Sequence, residues 1–171
     1  MRAHGASKDP TASVAIQLAA VGDIAGALLT SERQVDEIAS TLSNSPRPRR
    51  AFDQLADSIE EPFRSLGTEQ METLWAALAH SLALNGETAE ARQAMSHLPD
   101  DRDALSDQGY MHLIGALSLV GDKELALRLT RSLPPARRIQ ALTNILGSLL
   151  GSNRPDRTPP FQIADSEPEE L

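Results

Sequence analysis

Cysteine is absent from this 171-residue chain, so it can form no disulfide, no thiolate metal site and no cysteine nucleophile. That absence fits a reducing, cytoplasmic setting. Aromatic residues are also scarce, at 3% of the chain, and the 40% hydrophobic share is mostly Ala and Leu, which favour helices over strands. No 18 apolar residues run together, which excludes a membrane-spanning helix on length. The stretch Met1 to Thr11 lacks the apolar segment of a secretory signal. Positive charge is outnumbered: 16 Lys and Arg face 24 Asp and Glu, a net charge of -8. Nucleic-acid binding draws on cationic side chains that release counterions, so a broad phosphate-binding surface is disfavoured.

What the chain does contain is self-similarity. Asn85-Gly86-Glu87 is followed by Ala91, Leu98, Pro99 and Arg102, and Val120-Gly121-Asp122 by Ala126, Leu133, Pro134 and Arg137, each equivalent lying 35 residues on. The unit reads as a helix closed by Gly, where a left-handed conformation meets no Cβ penalty, then an acidic residue opening a second helix that Pro stops. Gly22-Asp23 followed by Ala27 repeats the corner a third time. Arg49-Arg50 before Phe52, Leu55 and Ile59 parallels Arg137-Arg138 before Ile139, Leu142 and Ile145.

Apolar residues at intervals of three and four predict the individual helices. Val14, Leu18 and Val21 mark the first. Ile24, Leu28, Ser31, Val35, Ile38 and Leu42 mark one longer second helix, and Ser43 to Pro48 then reads as a linker. Phe52, Leu55, Ile59 and Phe63 form a third stripe that Pro62 should end or kink. Thr68 is the expected N-cap of a strong helix through Met71, Leu74, Trp75, Leu78 and Leu82. Glu87 to Leu98, Ser106 to Val120, Lys123 to Leu133 and Ala136 to Leu150 complete the array. No segment combines period-two alternation with β-branched enrichment, so no strand is expected.

Three regions follow: a flexible N-terminus over 1–11, a helical repeat domain over 12–151 and a tail over 152–171. The tail carries Pro155, Pro159, Pro160 and Pro168 beside Asp165, Glu167, Glu169 and Glu170, and is expected to be disordered.

The Gly-acidic corner, the Ala five residues after Gly and the terminating Pro resemble tetratricopeptide-like helical repeats, most closely over Leu74 to Gly151. The nearest likeness is to the Ala- and Leu-rich arrays of bacterial multi-repeat proteins. This resemblance implies an all-α fold, a short right-handed α-solenoid of antiparallel helix pairs with seven to eight helices. It also implies association with another protein, with no cofactor and no specific chemistry. The Gly-to-Pro interval is 13 residues and the large aromatics of the tetratricopeptide unit are mostly missing, so no binding position carries over.

Candidate chemistry is sparse. His4, His80, His97 and His112 are far apart, without HExxH or an i, i+4 pair, and read as isolated residues and not metal ligands. Glu60-Glu61, Asp100-Asp101 and Glu169-Glu170 are sequence neighbours, which point different ways on a helix. Neither a GxSxG elbow nor a glycine-rich phosphate loop is present. Trp75 belongs to an apolar stripe and is expected in the core.

The uneven feature is basic. Lys123, Arg128, Arg131, Arg137 and Arg138 gather on the last helical unit, with Arg128, Arg131, Arg137 and Arg138 the expected partner-binding residues. Their complement is an acidic peptide segment, either a partner protein's or the chain's own Asp165 to Glu170. The resulting reading is a non-enzymatic interaction module, an adaptor, chaperone-like or regulatory subunit, with self-association into a homodimer as one form it can take. The alternatives are a nucleic-acid-associated regulator using Pro46 to Arg50, and a small hydrolase.

Overall fold

The computed structural model describes residues 10–31, 34–57, 61–98 and 105–151. Expectations placed on residues 1–9 and 152–171, and on Ile59, Glu60, Pro99, Asp100, Asp101 and Arg102, lie outside these residues. All regular structure among the described residues is helical, with no strand. The helices are α1 (Pro10–Ala20), α2 (Ile24–Thr30), α3 (Val35–Leu42), α4 (Pro48–Ala56), α5 (Glu61–Arg64), α6 (Thr68–Leu84), α7 (Thr88–Met95), α8 (Asp107–Leu119), α9 (Lys123–Ser132) and α10 (Pro135–Gly151).

Each glycine corner adopts the left-handed conformation that its sequence foretells. Gly22, Gly86 and Gly121 have φ of 78°, 81° and 91°. The amides three positions past each helix end bond backwards across the corner: Asp23 to the Leu18 carbonyl, Glu87 to Leu82 and Asp122 to Leu117. These are Schellman closures, which satisfy carbonyls that the helix leaves free. The alanines five residues on, Ala27, Ala91 and Ala126, are all fully buried, because the returning helix lies too close for a larger side chain.

Packing runs along a row: α1 against α3, α3 against α6, α6 against α8 and α8 against α10. Alongside it, α2 packs on α1, α4 and α7 on α6, and α9 on α8 and α10. One continuous apolar core joins them, from Ala19 and Ile24 through Leu74, Leu78, Leu113 and Ile114 to Ala141 and Ile145. Trp75 is buried in it, edge-to-face with Phe52 at 6.0 Å between ring centroids and stacked on His97 at 4.1 Å.

The described residues hold ten helices where seven to eight were expected, and three local expectations are also corrected. The single helix expected over Ile24 to Leu42 is two, α2 and α3, because the chain leaves helical geometry at Ser31, with φ -158° and ψ 89°. The stripe expected over Phe52 to Phe63 is divided between α4, which ends at Ala56, and the short α5, which holds Pro62. The N-cap of α6 is Gly67, one residue before Thr68, and its amide donates to the Gln70 side chain at 2.9 Å.

The segment read as a linker is a packed corner, with Asn44, Pro46 and Arg47 exposed on its outside. Ser43 and Ser45 are buried, and the Ser45 hydroxyl donates to the Ala20 carbonyl at 3.0 Å. The Ser45 carbonyl in turn accepts from the Ser81 hydroxyl at 2.9 Å and from Asn85 Nδ2 at 3.1 Å. This segment therefore fixes α1 and α6 to one another.

Candidate functional site: a polar groove across four helices

Because α3, α6, α8 and α10 stand in one row, side chains on their shared open face line a groove of about 1070 Å³. Helix α3 and its C-terminal turn contribute Ser40, Ser43 and Asn44, and α6 contributes His80. From α8 come Gln108, Met111 and His112, and from α10 come Arg137, Gln140, Thr143 and Asn144. The lining holds no carboxylate, in a chain whose net charge is -8, and Arg137 is its one arginine or lysine. Amides and hydroxyls at this density can donate and accept along an extended main chain, which offers the complementary groups at every residue.

His80 and His112, 32 residues apart, meet on facing helices with ring centroids 6.0 Å apart. His80 Nδ1 lies 3.2 Å from the Ser43 carbonyl oxygen. That oxygen can only accept, so Nδ1 carries a proton in either charge state. Gly115 makes the space: a Cβ there would stand 2.6 Å from His80 Cδ2 and 2.7 Å from Nε2. Burial pushes the His112 imidazole down to about 4, and the neighbouring His80 adds to the shift. Burial also lowers His80, opposed by the hydrogen bond at Ser43. Both rings are therefore neutral near pH 7, leaving Arg137 as the fixed positive charge of the groove.

Gln108 anchors the floor, donating through Nε2 to the Asp36 carbonyl of α3 at 2.9 Å. A serine–histidine relay is not assembled: His80 addresses the Ser43 carbonyl, while the Ser43 hydroxyl donates to the Ser40 carbonyl. No group of three or more His, Asp or Glu suited to a metal ion occurs among the described residues. No helix among them is long and apolar enough to cross a membrane.

The four arginines singled out from sequence take different positions. Arg137 lines the groove, with Nε 3.8 Å from Asp107 Oδ2. Arg138 turns away, its Nη2 donating to the carbonyls of Arg131 and Leu133 at 3.0 and 3.1 Å and so closing the end of α9. Arg128 and Arg131 are exposed on α9. Arg49 and Arg50, in the first turn of α4, are engaged within the fold: Arg49 pairs with Glu87 and Glu90 of the α7 region, and Arg50 with Asp23 at 2.9 Å.

Sequence reading missed the histidine pair and the amide lining. The 35-residue period held the signal, since it places 80 and 115 at equivalent sites of neighbouring helices and hence 112, one turn earlier, within reach.

Comparison with family models, curated proteins and solved structures gives no match. The functional reading therefore rests on the groove itself.

Proposed function

We propose that the chain is a non-enzymatic protein-interaction module that takes an extended, acidic segment of a partner protein into the groove across α3, α6, α8 and α10. The observation that carries this reading is the lining: amides, hydroxyls and two neutral imidazoles around Arg137, interleaved with Leu84, Met111 and Leu119 and with no carboxylate. The row of first helices with α2, α4, α7 and α9 beside it supports a short right-handed, tetratricopeptide-like solenoid, whose open face is suited to peptides. An adaptor, chaperone-like or regulatory role in the cytoplasm is the matching assignment.

Arg137 is the contact for a partner carboxylate, and Asp107 holds its guanidinium loosely enough to be displaced. Arg128 and Arg131, exposed on α9, supply long-range attraction, while Arg138 keeps the α9–α10 corner in place. Anisotropy of a labelled Glu-rich peptide titrated with the full chain tests the reading. Arg137→Glu should weaken binding about tenfold, and binding should fade as salt rises. Equal affinity of the two proteins for the peptide would refute the assignment of the groove.

A further inference from the structure

His80 of α6 and His112 of α8 meet in the groove, and the fold leaves one nitrogen of the pair ready for a ligand. His80 Nδ1 is committed to the Ser43 carbonyl at 3.2 Å, so a further hydrogen bond or proton must be taken at Nε2. Gly115 keeps the Nε2 edge of that ring clear of a side chain from α8, where a Cβ would stand 2.7 Å away. The ring of His112, three residues before Gly115, has its centroid 6.0 Å from that of His80. Gln108 Nε2 lies 3.5 Å from His112 Nε2, a distance that leaves this nitrogen weakly engaged.

The surroundings of the pair lack a counter-charge. Helix α3 and its C-terminal turn present Ser43 and Asn44, and α6 and α8 bring no titratable group into the lining besides the two rings. From α10 comes Arg137, a second positive centre, and the Asp107 that pairs with it stands outside the lining. Among the described residues, then, no carboxylate lines the groove to neutralise an imidazolium, and burial keeps both rings uncharged near pH 7. An acidic ligand brings the missing charge. With a carboxylate beside the rings the balance reverses, because an opposite charge within about 4–6 Å favours the protonated form. A second proton would set imidazolium against imidazolium at this separation, so the pair accepts about one.

We infer that the His80–His112 pair is a second carboxylate subsite of the groove, beside Arg137, and that it takes up a proton as an acidic side chain of the ligand seats against the rings. This rests on the reading of the groove as a site for an acidic segment, and it gives that segment a form: one acidic side chain for Arg137 at α10 and another for the imidazoles between α6 and α8.

Binding is thereby coupled to pH. The complex holds the proton more tightly than the free chain does, so affinity rises as pH falls. A ligand that instead donated an N–H to the neutral Nε2 of His80 would show the reverse sense, since protonation removes that acceptor. The sign of the pH dependence therefore reports which group of the ligand meets the rings.

The test is anisotropy of a rhodamine-labelled Glu-rich peptide titrated with the full chain from about pH 7.5 to 5.5, a range in which the peptide carboxylates stay ionised. The dissociation constant should fall about tenfold across this range in the wild type. In the double variant His80→Gln, His112→Gln it should change less than about twofold, the residue being the screened effect of remote charges. Arg137→Gln should bind more weakly at every pH and keep the wild-type slope. Calorimetry of the unaltered chain asks the same question without a substitution: near pH 6, heats in buffers of different ionisation enthalpy should report uptake of between about a half and one proton per peptide bound. Affinity that is constant or weakens toward pH 5.5, the absence of proton uptake, or a wild-type slope retained in the double variant overturns the subsite and leaves the groove reading standing. No binding of the peptide at any pH overturns both.

Discussion

Helices α6 and α10 are each seventeen residues long and both belong to the same row, yet they differ in almost every physical respect. Eleven residues of α6 are buried, including Glu72, Thr73 and Ser81, because α3, α4, α7 and α8 surround it. On α10 the buried side chains among those described are Ala141 and Ile145. Leucine content does not explain the contrast, since each helix carries four. Place in the array does: a helix with neighbours on every side becomes core, and the same kind of helix at an end keeps an apolar face unsatisfied. Stability is therefore concentrated at α6 and α8.

The contrast breaks first under truncation. Leu78→Ala removes a fully buried side chain from the middle of α6 and should cost about 3 kcal/mol, because the surrounding helices cannot collapse onto the void. Leu146→Ala on α10 should change stability by less than about 0.5 kcal/mol in dilute solution. Urea denaturation of both variants at low micromolar concentration measures the difference. Equal losses would show that α10 is as much a part of the core as α6.

Acid should act on the interior in the same direction. His112, and to a lesser extent His80, hold folded-state values below the ordinary 6.5, so between pH 6.5 and about 4 the unfolded chain binds protons that the folded chain refuses. Their contribution is complete above pH 6.5 and declines as pH falls toward 4, by up to about 3 kcal/mol for His112. Urea midpoints from pH 7 to 4.5 should fall in the wild type and fall less steeply in His112→Gln. Identical slopes would mean that the groove leaves His112 open to water.

The sequence made the repeated corners legible because they depend on local chemistry. Gly22, Gly86 and Gly121 demand left-handed backbone, and α8 and α9 begin and end within about a residue of the positions read from apolar spacing. The break between α2 and α3 was hidden: Ile24, Leu28, Val35, Ile38 and Leu42 continue in phase across it, and no Gly or Pro marks Ser31. Ser43 to Pro48 has the composition of a linker, yet its polar groups are satisfied by partners far away in sequence, such as Ser81 and Asn85. The groove was invisible for a related reason. Its polar residues sit where a helical pattern expects a solvent face, and it exists only because four helices from different parts of the chain align. Of the four arginines chosen from sequence, the structure places Arg137 in the groove and turns Arg138 back onto α9.

The finest test of the α6 side of the comparison is the contact between α6 and α8. Gly115 has helical backbone, so conformational freedom is not what the position needs; the missing side chain is. A methyl group there would overlap the imidazole of His80, whose ring is held by the Ser43 carbonyl and cannot simply swing away. Gly115→Ala should therefore cost about 1–2 kcal/mol, even though Ala is the better helix former by nearly 1 kcal/mol. In a His80→Ala background the clash disappears, and the same substitution should become neutral or stabilising. A double-mutant cycle of urea stabilities measures this reversal. If Gly115→Ala proves stabilising with His80 present, the two helices are further apart than their packing implies, and α6 must then be regarded as more open and closer in character to α10.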